Sequence, residues 1–127
     1  MASFAPYDEF ARGVKLAAAD LGIGKKIKIY SADISTADIQ EIVEEGSPWV
    51  ATAATNPAVV GAVSVRAAAL QIAGEDVPQK IIVDPVLVMQ KELRDADVKI
   101  IEELAAKIPS FSTSSAVTAT WIPSAAL

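Results

Sequence analysis

Apolar side chains recur at Phe10, Val14, Ala17 and Leu21, in steps of four, three and four. That spacing predicts a helix over 7–21 with one apolar face. Gly22 follows where a helix end takes the left-handed conformation that suits glycine. Over 26–32 the pattern changes: Ile27 and Ile29 alternate with lysines before Tyr30, which predicts a strand. Ser35 stands as an N-cap with Asp38 three residues on, a capping box with aspartate in place of Glu or Gln. Ile39, Ile42 and Val43 then supply the buried face of a short helix that Gly46 ends.

Ser47-Pro48 turns the chain into a second strand over 49–54, with Trp49 read as core. Asn56-Pro57 pairs an N-cap with proline at the first helical position. The helix so opened runs to about 73, with Val60, Val63, Ala67 and Leu70 facing inward and Gly74 closing it. A third strand is expected at 80–83; Asp84-Pro85 ends it or puts it at an edge, since proline cannot donate to a ladder. The stretch 86–89 is read as an extended continuation. A last helix over 97–108 presents Val98, Ile101, Leu104, Ala105 and Ile108, and Pro109 stops it. The Ser/Thr/Ala-rich tail, 109–127, carries Trp121 and is expected to be a flexible end or a segment lying on another surface.

Helices alternating with strands across short loops predict the α/β class, a parallel sheet with flanking helices. One feature is awkward for that class: the pattern opens on a helix, so the strand that should feed it is missing.

Composition narrows the chemistry. With 127 residues, 52% of them hydrophobic, the chain can bury one ordinary core and is far too apolar for a disordered segment. No run approaches the ~20 apolar residues a membrane helix needs. Histidine and cysteine are both absent. That excludes disulfides, thiolate nucleophiles, Cys/His zinc sites and the Ser-His-Asp triad. The net charge is −5, and Lys25, Lys26 and Lys28 form the only basic cluster. Nucleic-acid binding, which draws its affinity from a basic surface, is therefore not expected. The first residues show neither a cationic nor an apolar leader segment, so no signal peptide is expected within the chain.

Gly22-Ile23-Gly24-Lys25 superficially suggests a phosphate loop, but it follows a helix and precedes a strand, the reverse of the order such a loop needs. It reads as a cap and turn. Adjacent acids such as Glu44-Glu45 and Glu102-Glu103 point in different directions on a helix and serve solubility. No catalytic residue, cofactor or metal site is expected. Asp33 differs, because it lies at the carboxyl end of the first expected strand, where open α/β sheets bind ligands. Thr55 and Asn56 hold the equivalent place after the second strand, and Tyr7 and Asp8 share the rim if a strand ends near Ala5. The plainer alternative is that Asn56 only caps its helix and Asp33 only makes a turn. A carboxylate, hydroxyls, an amide and an aromatic ring suit a small polyhydroxylated solute.

The residues 3–13, 29–33 and 49–57 with Gly61, followed by 80–93, resemble the C-terminal part of the sugar-binding proteins of ABC transporters, the type I periplasmic-binding fold. The resemblance implies a partial flavodoxin-like lobe architecture. Residues 1–108 would form a partial ligand-binding domain: 1–54 in one lobe, 57–84 as an element of the other, and 85–108 as the return and last helix. It implies that Tyr7, Asp8, Asp33, Thr55 and Asn56 contact a sugar or similar solute without chemistry. It also implies a membrane permease as partner and an extracytoplasmic location. Because family members need roughly twice this length, the chain is expected to self-associate or join a companion polypeptide. A ligand-sensing domain of a sugar-responsive transcription regulator is the alternative, since it shares the fold. A small carboxylate enzyme is a third reading.

Overall fold

The computed structural model describes residues 1–122. Four strands form one sheet in the order β1 (Ala2–Ala5), β2 (Lys28–Ala32), β3 (Trp49–Ala54) and β4 (Val86–Met89). The first three run parallel, with Phe4 beside Tyr30 and Ser31 beside Thr52. β4 is antiparallel to β3, Ala54 facing Val86 and Ala51 facing Met89. Among the described residues six helices accompany the sheet: α1 (Asp8–Asp20), α2 (Thr36–Val43), α3 (Pro57–Ile72), α4 (Gln90–Asp95), α5 (Ile101–Lys107) and α6 (Pro109–Ser112). The class is α/β, as expected.

Three expectations are corrected. A strand does precede α1. β1 is four residues of mostly small side chains, held by its pairing with β2 rather than by any local pattern. The residues 80–83 form no strand; the sheet takes 86–89 instead, and antiparallel. The chain returns from α3 to the end of the sheet where Ala54 leaves, so it re-enters beside β3 running the opposite way. The helix expected over 97–108 begins only at Ile101, as α5, and α4, for which no helix was expected, precedes it; Asp97, with a left-handed φ of 51°, separates the two.

The core lies on one sheet face, where Ala5, Ile29, Trp49, Ala54 and Val88 meet Ala11 of α1, Ile39 and Ile42 of α2, Leu93 of α4 and Leu104 of α5. Burial of these side chains is the main favourable contribution to the fold. α1 lies on the sheet through Ala11 and Ala18, not through the expected Phe10, Ala17 and Leu21; Phe10 is 61% exposed and Leu21 71%. Small side chains let helix and sheet approach closely; of the expected face Val14 packs against the core, while Phe10 and Leu21 point away. α3 buries Val59, Val63, Arg66 and Leu70, so its stripe is rotated from the one expected, with Val60 exposed and Ala67 half-buried. Val98 and Leu104 are buried as expected, with Ile101, Ala105 and Ile108 packed against the core.

Local signals fared better. Ser35 and Asp38 form the capping box in both directions. Gly22 adopts a φ of 66° behind α1 and leads into a single 3₁₀ turn at Gly24–Lys26, the cap-and-turn reading. Trp49 is fully buried, its Nε1 donating to Ser31 Oγ at 2.8 Å. In the tail, Phe111 enters the core, Ser112 Oγ donates to Ala105 O, and Trp121 Nε1 donates to Glu75 Oε1 at 2.5 Å. Through 122 the tail therefore lies on other surfaces of the chain; the remaining positions of that expectation, 123–127, fall outside the described residues.

Candidate functional site at the strand ends

Because β1, β2 and β3 are parallel, their carboxyl ends lie on one edge of the sheet, and the next residues are Pro6-Tyr7, Asp33 and Thr55. β4 begins at the same edge, immediately after Pro85. Tyr7, Asp33 and Thr55 line one cleft of about 480 Å³, together with Pro6, Pro57 and Pro85. This is the crevice position at which open α/β sheets bind ligands.

Asp33 is the best fixed of the three. Its backbone is left-handed, φ 73°, a conformation aspartate tolerates better than most residues. Its N–H donates to Ala53 O at 2.9 Å, and its carbonyl accepts from Thr52 Oγ1 at 2.6 Å. Two bonds to β3 thus hold it in place. Asp33 Oδ1 accepts from Ile34 N–H at 2.9 Å. Oδ2 makes no hydrogen bond to the described residues and keeps its acceptor capacity. Tyr7 precedes α1 with extended backbone and sets its ring edge-on to Phe10, centroids 5.9 Å apart. Thr55 is half-buried beside them.

The other two expected residues go elsewhere. Asp8 turns inward and is buried; its Oδ1 accepts from Glu9 N–H at 2.8 Å, and it neighbours the carboxyl of Asp38. Asn56 caps α3, its Oδ1 accepting from Ala58 N–H at 3.0 Å, and lines a separate groove of about 930 Å³ with Asp84 and Phe111. The plainer reading of Asn56 as a cap is what its geometry shows. Burial pushes the Asp38 carboxyl up to about 6; the Ser35 hydroxyl opposes this and Asp8 adds to it.

Sequence reasoning missed the apolar walls of the cleft. Prolines 6, 57 and 85 read only as punctuation, and Val60, assigned to the core, lines the cleft instead. Among the described residues no lysine or arginine lines it, and Asp33 is its one carboxylate. A single acceptor group between apolar walls suits a neutral hydroxylated molecule better than an anion. Among the described residues, no group of three or more carboxylates is placed to hold a metal ion, and no helix is long and apolar enough to cross a membrane.

No protein-family profile matches the sequence, and a search of curated proteins finds no match. Solved structures do match. One is a 5-methylthioribose transporter solute binding protein from Thermotoga lettingae TMO, in complex with 5-methylthioribose. It is 38% identical, with a TM-score of 0.88 over 94% of this chain. Another is a sugar ABC transporter from Yersinia enterocolitica subsp. enterocolitica 8081, 31% identical, with a TM-score of 0.84 over 94% of this chain. The chain spans 38% and 36% of those two proteins. In both sequence and fold, therefore, it is similar to a stretch of the sugar solute-binding proteins of ABC transporters, and its sheet matches a periplasmic-binding-protein-like lobe.

Proposed function

We propose that this chain is part of the substrate-binding component of an ABC importer for a sugar or similar small polar solute, and that it binds without chemistry. The observation that carries this reading is Asp33, fixed by two bonds to β3 with a free carboxylate oxygen at the strand-end cleft. One carboxylate accepts from two sugar hydroxyls, Tyr7 offers a ring, and Thr55 a hydroxyl. Among the described residues the cleft holds one carboxylate, where general acid–base work on a glycosidic bond uses two. Its relatives supply the ligand class: a pentose derivative, 5-methylthioribose, in one case.

In this reading the cleft is one wall of a site that an opposing lobe closes, the closed form docks on a membrane permease, and the protein works outside the cytoplasm. Affinity of the chain alone is then weak. The uncovered sheet face supports a need for further polypeptide. Phe4, Tyr30 and Leu87 share that face by register, and Phe4 and Leu87 are 69% and 64% exposed. β1 also leaves one edge unpaired among the described residues, which invites strand addition. A second copy or a companion chain fits that surface.

Saturation-transfer NMR with millimolar 5-methylthioribose, and with ribose, tests the binding reading. Transfer to the sugar C–H protons is expected from the wild-type chain and is lost in Asp33→Asn. No transfer from the wild type to either sugar contradicts the proposal.

A further inference from the structure

Asp8 opens α1 and Asp38 lies in the first turn of α2, and the two carboxyls meet in the interior. Asp38 is fully buried and Asp8 nearly so. One oxygen of Asp38, Oδ2, accepts from Ser35 N–H at 2.7 Å and Ser35 Oγ at 2.5 Å. The other, Oδ1, finds no donor among the described residues. A buried carboxylate oxygen without a donor is costly, and two ionised carboxylates side by side are costlier. A single proton held between the two acids removes both penalties, because it turns one acid into the donor that the other lacks.

We infer that Asp38 keeps a proton on its otherwise unpartnered oxygen and donates it to Asp8, a pH-dependent tie between the starts of α1 and α2. Neighbouring charges do not replace that proton. On α1, Arg12 pairs with Glu9, Lys15 pairs with Glu41 and Glu44, and Asp20 lies at the far end. On α4, Lys91 pairs with Asp95, Arg94 donates to the carbonyls of Val43 and Glu44, and Glu92 accepts from Met89 N–H. From α5, which meets α2 through Ile101 N–H on Thr36 Oγ1, Glu103 accepts from Lys99 N–H, and Glu102 and Lys107 are exposed. Asp33, at the cleft, accepts from Ile34 N–H through Oδ1. Among the described residues the groups that act on the Asp38 carboxyl are Ser35 and Asp8, and neither is a cation.

The tie sits directly behind the cleft: Tyr7 adjoins Asp8, and Asp33 leads into the Ser35 cap. It stands independently of what the cleft binds. Its sign follows from linkage. Between about 4 and about 6 the folded chain holds a proton that the unfolded chain has lost, so stability falls as pH rises through that window. Above it the contribution is gone and the curve is level.

Two measurements on the 127-residue chain test this. Carbon-detected NMR of the side-chain carboxyls is expected to show Asp38 titrating near 6. Urea unfolding from pH 4 to 8 is expected to show the midpoint falling with pH in the wild type. In Asp38→Asn, whose amide donates permanently, this part of the slope is lost. Asp38 titrating in the ordinary carboxylate range, or a slope unchanged in Asp38→Asn, overturns the inference. Should Asp38→Asn fail to fold, Asp8→Asn carries the same prediction, and the wild-type titration decides alone.

Discussion

The hydroxyl of Thr52 donates to the carbonyl of Asp33 at 2.6 Å, across two neighbouring strands. The bond fixes the one left-handed residue of the candidate site from a side chain that is itself fully buried. Thr52→Val keeps the shape and removes the donor, leaving a carbonyl to seek another partner. A loss of about 1 kcal/mol of stability is expected by urea unfolding, along with weaker sugar transfer in NMR. Unchanged binding would mean that Asp33 does not need this anchor.

Asp33→Asn separates the fold from the function. Asparagine tolerates the left-handed conformation and its amide oxygen can still accept from Ile34 N–H, so stability should change by no more than about 0.5 kcal/mol. The carboxylate, however, is gone. Sugar transfer should disappear while the melting curve stays in place.

Trp49 and Ser31 satisfy one another in the core at 2.8 Å. Trp49→Phe strands the buried Ser31 hydroxyl and leaves a space beside it, for an expected cost of about 2–4 kcal/mol in urea unfolding. Trp49→Phe paired with Ser31→Ala should recover part of that cost, because the orphaned hydroxyl is then removed. A double variant no better than the single would contradict the pairing.

Phe4 and Leu87 on the uncovered sheet face predict self-association. Light scattering at micromolar concentration should find more than a monomer, and Phe4→Lys should shift the population toward the monomer with little effect on the melt. A wild-type monomer under those conditions would contradict a second copy as the covering partner.

What the sequence revealed follows the range of the forces involved. The Ser35–Asp38 box, the Asn56-Pro57 helix start and the Trp49–Ala54 strand depend on neighbours along the chain, and all three could be read directly. β1 could not, because Ala2-Ser3-Phe4-Ala5 carries no β-branched alternation and owes its extension to Lys28–Ala32, over twenty residues away. The runs 80–83 and 86–89 are both rich in Ile, Val or Leu. Only the second meets the free edge of β3, and composition alone cannot show that. In α1 the alanines at 11 and 18, too weakly apolar to dominate a periodicity, are the most deeply buried apolar residues, with Val14 packed beside them.

The cleft divides in the same way. Tyr7, Asp33 and Thr55 come together because parallel strands end on one edge, a consequence of topology that strand order already contained. Asp8 left the rim because the first turn of α1 directs it toward Asp38, a contact thirty residues away in sequence. The proline walls carried no chemical signal at all.

The most direct test of the central claim is a two-dimensional amide NMR titration of the labelled chain with 5-methylthioribose. Shifts confined to the amides around Tyr7, Asp33 and Thr55, and absent from Asp33→Asn, are the predicted result. No shift at saturating sugar, or shifts confined to the groove around Asp84 and Phe111, would contradict the placement of the site at the strand ends.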